Sequence, residues 1–168
     1  LEKRKSKSKP KESAVLILFY PYQNEISVAF IKRQSYDGVH SGQIALPGGK
    51  VEKTDKDINY TALRETYEEV GVAIEDVEVI TQLTDVYIPV SRFNVTPVVG
   101  LINYLPNFKI DNHEVEELIE LKLSELVRID KLEISKIKMT RGGWLETPCF
   151  NFNGKIVFII SIFWFGID

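Results

Sequence analysis

Short runs of apolar, β-branched and aromatic residues recur along the chain, and they predict a protein rich in strands. SAVLILFYP (13–21) and ISVAFIKR (26–33) flank the turn-like stretch YQNE, which predicts a β-hairpin. GQIAL (42–46) predicts a short strand that breaks at Pro47-Gly48-Gly49, where glycine permits backbone conformations closed to other residues. The same composition predicts further strand material over residues 77–88, 93–103, 117–123, 134–139, 146–152 and 155–166.

One long segment has the period of a helix. The pattern is helical from about Asp57 to Val70, and Gly71 is the expected end. Ser124 is expected to cap a second, short helix with the sequence ELVRIDKL. The mixture predicts the α/β class, with helices covering both faces of a sheet. The long helix should carry Ala62, Leu63, Thr66, Tyr67 and Val70 on one side and Arg64, Glu65, Glu68 and Glu69 largely on the other.

Length and charge predict that the chain consists of a short basic tail and one acidic domain. The 168 residues are 44% hydrophobic, which is enough for one domain with a real core. Residues 1–12 hold six basic and two acidic side chains, so the remainder has 15 basic and 22 acidic residues and a net charge of −7. We therefore expect a flexible basic tail over residues 1–12 and a single domain over 13–168. The tail is either a solvated leader or a phosphate-seeking arm.

The same numbers exclude some classes of function. An acidic domain is a poor nonspecific binder of nucleic acid and a suitable host for divalent cations. The apolar stretch AVLILFY (14–20) is too short for a signal segment. The single cysteine, Cys149, excludes an intramolecular disulfide and is expected to be a small core residue, which fits the reducing cytoplasm.

The densest chemistry is in LRETYEEVG (63–71), which places three carboxylates on less than two turns of helix. Like charges at this spacing repel each other, so something should neutralise them. Glu65, Glu68 and Glu69 present hard oxygen ligands that suit magnesium or manganese, and Arg64 can hold a carboxylate or meet a phosphate. The alternative is an ordinary solvated helix face. The glycine loop upstream of the helix favours a ligand site at the strand ends.

The combination of Gly48-Gly49 with REtyEEvG (64–71) resembles the Nudix hydrolase box. Asp55 stands where that family usually has Glu, its spacing to Arg64 is one residue longer than usual, and Thr66 replaces an aliphatic residue. The resemblance covers about residues 13–123. It implies a Nudix-like α/β/α sandwich with a mixed β-sheet and a catalytic helix at about 57–70.

The stretch IKRQSYDGVHSGQIALPGGKVEKTDKD (31–57) is similar to the branch of the family that cleaves coenzyme A. That branch tolerates an aspartate and a long gap before the Arg-Glu pair. Gln34 departs from it, because a small residue usually follows the arginine. The resemblance implies a substrate-binding role for Lys32, Arg33, His40 and Gly48.

The resemblance also implies a mechanism. Glu65, Glu68 and Glu69, with the Gly49 carbonyl, are expected to hold Mg²⁺ or Mn²⁺ ions that activate water and clamp the phosphates. The general base is either Glu65 or Glu114 in the loop NHEVEEL (112–118), although this loop can also be a solvated acidic turn. Arg64 completes the expected catalytic set.

Three functions are compatible with these residues. The first is hydrolysis of coenzyme A or its thioesters to 4′-phosphopantetheine and adenosine 3′,5′-bisphosphate. The second is hydrolysis of another nucleoside diphosphate derivative, such as ADP-ribose or a dinucleotide, and the third is a noncatalytic binding module. The partner is in each case a small diphosphate, with no nucleic acid.

The last residues, KIVFIISIFWFGID (155–168), are almost all apolar. The family commonly has a strand here that leads through a Trp-Gly step into a closing helix, so this segment departs from the family pattern. It is too short to span a membrane. A buried final strand or truncated helix is expected, and an exposed surface that forms a homodimer or touches a membrane is the alternative.

Overall fold

The computed structural model describes residues 9–34, 43–88, 91–128, 132–138, 144–152 and 155–158. These residues form two sheets, two α-helices and a 3₁₀ turn at Ile74–Asp76. The helices are α1 (Ile58–Val70) and α2 (Leu123–Leu126). The strands are β1 (Lys11–Tyr22), β2 (Glu25–Arg33), β3 (Ile44–Ala45), β4 (Gly48–Lys50), β5 (Glu78–Gln82), β6 (Val86–Ile88), β7 (Phe93–Leu101), β8 (Val115–Lys122), β9 (Leu132–Lys138), β10 (Trp144–Phe152) and β11 (Lys155–Phe158).

The larger sheet is mixed, as predicted. Its main order is β3-β2-β1-β7-β5, with β4 paired to β1, β6 to β7 and β8 to β2. β1 and β7 run parallel, and the other pairs are antiparallel. The predicted hairpin is β1–β2, where Phe19 lies opposite Val28. A separate three-stranded sheet has the order β11-β10-β9.

Each face of the larger sheet buries one set of apolar side chains, since successive residues of a strand point to opposite faces. Leu16 and Ile31 pack with Ala62 of α1 on one face. Val15 and Phe30 lie on the other face, with Phe152 and Val157 of the smaller sheet. The α/β class with a mixed sheet and a helix is therefore confirmed. In the described residues the second face is covered by the smaller sheet and by Leu126 of α2, rather than by a long helix.

The ends of α1 lie where the sequence predicts them. Asp57 is the N-cap, and its carboxylate accepts a hydrogen bond from the Tyr60 N–H at 2.7 Å. Gly71 ends the helix in the left-handed conformation, with φ of 74°. Its N–H donates to the Tyr67 carbonyl oxygen at 2.9 Å. Neither of the two helices that the structure describes has the length and apolar character of a membrane span.

The predicted faces of α1 are wrong at two positions. Tyr67 is exposed, whereas Glu69 is only 2% exposed. A helix turns by about 100° per residue, so Glu69 lies within about 20° of Ala62 and close to the middle of the buried face. Tyr67 lies about 140° from Ala62 by the same rotation. The prediction assigned the two side chains to faces by their polarity, and not by their rotation around the helix axis.

Several predicted boundaries are also corrected. β1 begins at Lys11, inside the segment predicted as a tail, and residues 1–8 lie outside the described part of the chain. The glycines predicted as a break form β4 on β1, and the strand predicted over 77–88 is divided into β5 and β6. α2 ends at Leu126, and Ser124 does not cap it but donates to a Glu25 carboxylate oxygen at 2.7 Å. β11 ends at Phe158, and residues 159–168 lie outside the described residues.

The loop between β4 and α1 is held by a buried ion pair. The Asp55 side chain is inaccessible to solvent, and its two carboxylate oxygens accept hydrogen bonds from Arg64 Nε at 2.8 Å and Nη2 at 3.0 Å. Asp55 also accepts from the Glu52 N–H and the Thr61 hydroxyl. The hydrogen bonds from Arg64 are the main cause that lowers the Asp55 pKa to about 2. The Asp55–Arg64 clamp therefore fixes the helix to its loop.

We expect Asp55→Asn to lower the free energy of unfolding by about 2 kcal/mol at pH 7, since Arg64 loses a buried partner. Asp57→Asn is the matched control, because asparagine caps a helix as well as aspartate does, and it should change stability by a few tenths of a kcal/mol. Urea denaturation measures both variants.

The difference in unfolding free energy between wild type and Asp55→Asn should decrease as the pH falls. The folded pKa of Asp55 lies below its ordinary value of 3.8, so its stabilisation is present above about pH 4 and is lost as the pH falls toward 2. The stability gap should be smaller at pH 3 than at pH 7. A gap that keeps its size, or the absence of any gap at pH 7, would show that the clamp does not stabilise the fold.

Candidate active site

Glu69 is a buried carboxylate beneath the glycine loop. Its Oε2 accepts a hydrogen bond from the Gly48 N–H at 2.8 Å, and its Oε1 lies 3.6 Å from Nη2 of Arg33. Burial raises the pKa of Glu69 to about 8; Arg33 and the Gly48 amide oppose the shift, and nearby Glu65 and Glu114 add to it. Ionisation of Glu69 is therefore unfavourable in the metal-free site, and a bound cation would favour the ionised form.

The two glycines allow this close approach. Gly48 has a φ of 152°, which other residues rarely adopt, as the predicted special backbone requires. A Cβ atom added to Gly49 would lie 2.2 Å from Cδ of Glu65, so only glycine admits that carboxylate. Both glycines are in β4, where Gly49 pairs with Ala14 of β1. The main sheet thereby fixes the loop against the helix.

Arg64 joins two of the predicted carboxylates. Its Nη1 lies 3.0 Å from Glu65 Oε1 and 2.9 Å from Glu68 Oε2. The opposite edge of its guanidinium is held by Asp55, so Arg64 binds carboxylates in this structure, which was one of its two predicted roles. Burial raises the pKa of Glu65, and Arg64 opposes the shift. Glu68 is about half exposed, at 53%.

Glu114 is brought to the site by the turn before β8. Its Oε2 lies 3.9 Å from Nη2 of Arg33, and its side chain is 58% exposed. The turn is tied to the end of α1, because the Asp111 N–H donates to the Glu69 carbonyl oxygen at 3.0 Å. Arg33 thus stands between a buried carboxylate and an exposed one.

Two predicted substrate residues, Lys32 and His40, are not shown in contact with the site carboxylates. Nζ of Lys32 lies 2.5 Å from Oε1 of Glu116, and this contact raises the Lys32 pKa. A substrate phosphate would have to compete with Glu116 for this ammonium group. His40 lies outside the described residues.

The donor set fits a divalent ion, although it is not a closed cage. In the part of the chain that the structure describes, no three His, Cys, Asp or Glu side chains already converge on one point. However, Oε1 of buried Glu69 accepts no hydrogen bond from the described residues, and Glu65 stands close enough to raise the Glu69 pKa. Mg²⁺ and Mn²⁺ keep several waters and need few carboxylates, so Glu65 and Glu69 suffice as a core. Glu65 and Glu68 each contact Arg64 through one carboxylate oxygen, which leaves the second oxygen of each for an ion.

A cavity of about 430 Å³ lies at the other end of α1 and does not include these carboxylates. It is lined in part by the helix cap Asp57 and by Ile58, next to Gln82 of β5. Glu65, Glu68 and Glu69 therefore lie outside this cavity, although Asp55 of the Asp55–Arg64 clamp also lines it.

Two contributors to the site were not assigned from the sequence. Asp55 carried a signal, because it stands at the acid position of the box. Gln34 appeared only as a departure from the coenzyme A signature. Its Nε2 donates to the carbonyl oxygens of Asn112 at 2.8 Å and Val115 at 3.4 Å, contacts across about 80 residues that no local pattern reveals.

Comparison with known proteins agrees with this geometry. The model of the NUDIX domain family matches residues 10–145. The uncharacterized Nudix hydrolase NudL of Pectobacterium atrosepticum is 46% identical over 110 residues, 64% of this chain and 57% of that protein. NudL of Enterobacter sp. is 38% identical over 139 residues, 81% of this chain and 71% of that protein. Nudix hydrolase 15, mitochondrial, of Arabidopsis thaliana is 40% identical over 114 residues, 64% of this chain and 40% of that protein.

Solved structures share the fold at low sequence identity. A Caenorhabditis elegans Ap4A hydrolase binary complex has a TM-score of 0.57 at 19% identity, covering 71% of this chain and 85% of its own. The NUDIX domain of Shewanella oneidensis NrtR complexed with ADP ribose has a TM-score of 0.55 at 17% identity, covering 75% and 81%.

The matched region spans between 40% and 71% of these three relatives' own lengths, so the comparison defines the domain and its family. The predicted resemblance is confirmed at the level of the family, whose enzymes are pyrophosphohydrolases of nucleoside diphosphate derivatives. With a NUDIX domain model over most of its residues and a Nudix hydrolase relative matched over 81% of the chain, the chain belongs to the Nudix hydrolase family.

Proposed function

We propose that this protein is a Mg²⁺- or Mn²⁺-dependent hydrolase of the diphosphate bond in coenzyme A or its derivatives, giving 4′-phosphopantetheine and adenosine 3′,5′-bisphosphate. The observation that carries the hydrolase assignment is the buried carboxylate of Glu69 beside the glycine loop, with Glu65 and Glu114 near it. A protein that only bound nucleotides would gain nothing from this costly arrangement of negative charge.

The residues divide the chemistry between them. Glu65 and Glu69, with Glu68 and the Gly49 carbonyl, would hold the ions that lower the pKa of water and neutralise the phosphate oxygens. Arg64 keeps Glu65 oriented through its hold on Asp55. Arg33, which faces the same carboxylates, would meet the negative diphosphate.

Glu114 is the better placed of the two candidates for the general base. Glu65 is only 16% exposed and is bound by Arg64, whereas Glu114 is 58% exposed on a turn beside the site. An accessible carboxylate can accept a proton from an attacking water and return it to solvent. We therefore assign Glu65 to metal binding and Glu114 to proton transfer.

The coenzyme A assignment rests on the signature from Arg33 through His40 to Gly49. Coenzyme A carries a 3′-phosphate that ADP-ribose lacks, so a basic group beyond the diphosphate can distinguish the two. Arg33 faces the carboxylates and Lys32 is bound to Glu116, which leaves His40 as the best candidate for reading the 3′-phosphate.

Hydrolysis of another nucleoside diphosphate derivative is the second candidate. It is favoured by the shared chemistry of the box, which handles the diphosphate and not the group beyond it. A panel of coenzyme A, dephospho-coenzyme A, ADP-ribose and a dinucleoside polyphosphate, with Mg²⁺ or Mn²⁺ and products separated by chromatography, distinguishes the two. We also propose a cytoplasmic location, which suits the buried free thiol of Cys149, and leave a homodimer to be tested by light scattering.

Glu69→Gln should lower turnover by two or more orders of magnitude, the scale of a lost key electrostatic group. Above pH 8, where the wild-type Glu69 is ionised, the metal-free variant should unfold at the same temperature or higher, since a neutral amide avoids the cost of a buried charge. Glu78→Gln, an exposed change on β5, is the matched control. Full activity combined with lower stability would make Glu69 structural.

Millimolar Mg²⁺ or Mn²⁺ should raise the melting temperature of the metal-free protein, because an ion that binds only the folded state stabilises it. The double variant Glu65→Gln, Glu69→Gln should lose this increase. The measurement is thermal unfolding with and without metal. If the double variant gained as much as the wild type, the ion would bind elsewhere.

The wild type should favour coenzyme A over ADP-ribose by at least tenfold in kcat/KM, about 1.4 kcal/mol. His40→Ala should reduce that ratio, because a neutral methyl cannot contact the 3′-phosphate. Arg33→Ala should lower the rates on both substrates, and Arg128→Ala controls for the loss of one positive charge. Equal rates, or a preference for ADP-ribose, would reject coenzyme A as the substrate and leave the hydrolase assignment intact.

A further inference from the structure

The turn that carries Glu114 is held together from within by Asp111. The N–H groups of Glu114 and Val115 donate to the Asp111 carbonyl oxygen at 3.1 and 2.8 Å, and the His113 N–H donates to the Asp111 carboxylate at 2.9 Å. These bonds set the shape of the turn 111–115. They do not fix its distance from β2, where Arg33 stands.

β8 is irregular next to this turn. Lys32 pairs with Glu117 but Arg33 pairs with Val115, so Glu116 is an extra residue that forms a bulge. Bulges bend a strand and re-aim its neighbours, and they disrupt the ladder that would otherwise hold the two strands in register. Beyond this bulge, the position of Glu114 depends on other contacts.

Gln34 supplies those contacts. Its backbone N–H donates to the Glu114 carbonyl oxygen at 3.0 Å, and its side-chain Nε2 donates to the carbonyl oxygens of Asn112 and Val115. The acceptors flank Glu114 on both sides. Because both acceptors are carbonyl oxygens, the contact requires a hydrogen-bond donor and not merely a side chain of that size.

We propose that Gln34 is a positioning residue that fixes the turn 111–115 against the end of β2 and so holds Glu114 at the active site. This rests on the proposed function of Glu114 as general base. The small residue that is usual at this position of the coenzyme A signature is too short for these side-chain hydrogen bonds. This chain therefore differs from the signature in how it holds the turn 111–115.

Gln34→Met keeps the length of the side chain and removes the donor. We expect kcat on coenzyme A with Mg²⁺ to fall about tenfold with little change in KM, because a displaced base slows the chemical step. Backbone amides of residues 113–115 should exchange with deuterium faster. Gln82→Met is the matched control: Gln82 also donates through Nε2, to the Asn59 side chain in the first turn of α1. It should leave both kcat and the exchange of the turn unchanged.

A double-mutant cycle separates positioning from general stability. If Gln34 acts through Glu114, adding Gln34→Met to Glu114→Gln should lower kcat by less than twofold further. A full tenfold additional loss, or unchanged exchange in Gln34→Met, would overturn the proposal. If the wild type hydrolysed no diphosphate in the panel, the proposed function would fail; the exchange measurement would then still decide whether Gln34 holds the turn.

Discussion

The site depends on one unfavourable fact, the burial of the Glu69 carboxylate. A buried anion is costly unless hydrogen bonds and opposite charge accompany it. The Gly48 amide and the Arg33 guanidinium supply both in part, from β4 and from the end of β2. Three separate elements must therefore meet around one side chain. This requirement explains the two glycines of β4, which let the strand approach Glu65 and Glu69 of α1.

The Asp55–Arg64 clamp meets a different requirement. Carboxylates that crowd one helix repel each other, so the helix needs an anchor that does not depend on a bound ion. Arg64 supplies it through buried Asp55, and the free edge of the same guanidinium meets Glu65 and Glu68. One residue both secures the fold and arranges the carboxylates. The anchoring of the helix and the arrangement of its carboxylates are thus coupled through Arg64.

The sequence predicted the class, the two ends of the long helix, and the approach of the glycine loop to the carboxylates of that helix, because these features are local or follow from one motif. It did not predict that Tyr67 is exposed and Glu69 buried, since polarity was given more weight than helical rotation. The sequence also did not predict the contacts that the end of β2 makes with β8 and the turn before it. They depend on a bulge at Glu116, and a bulge changes register without a signal in either strand alone.

The end of β2 shows how one short stretch supports several parts of the site. Lys32 contacts Glu116 of the bulge, and Arg33 contacts Glu69 and Glu114. Gln34 donates to carbonyl oxygens of the turn 111–115. The start of the coenzyme A signature therefore helps to build the carboxylate cluster whatever the substrate. In the proposed function, recognition of the group beyond the diphosphate is left to other residues of the signature. A match at Arg33 then supports the reaction more strongly than it supports coenzyme A, and substrate choice has to be judged from positions such as His40.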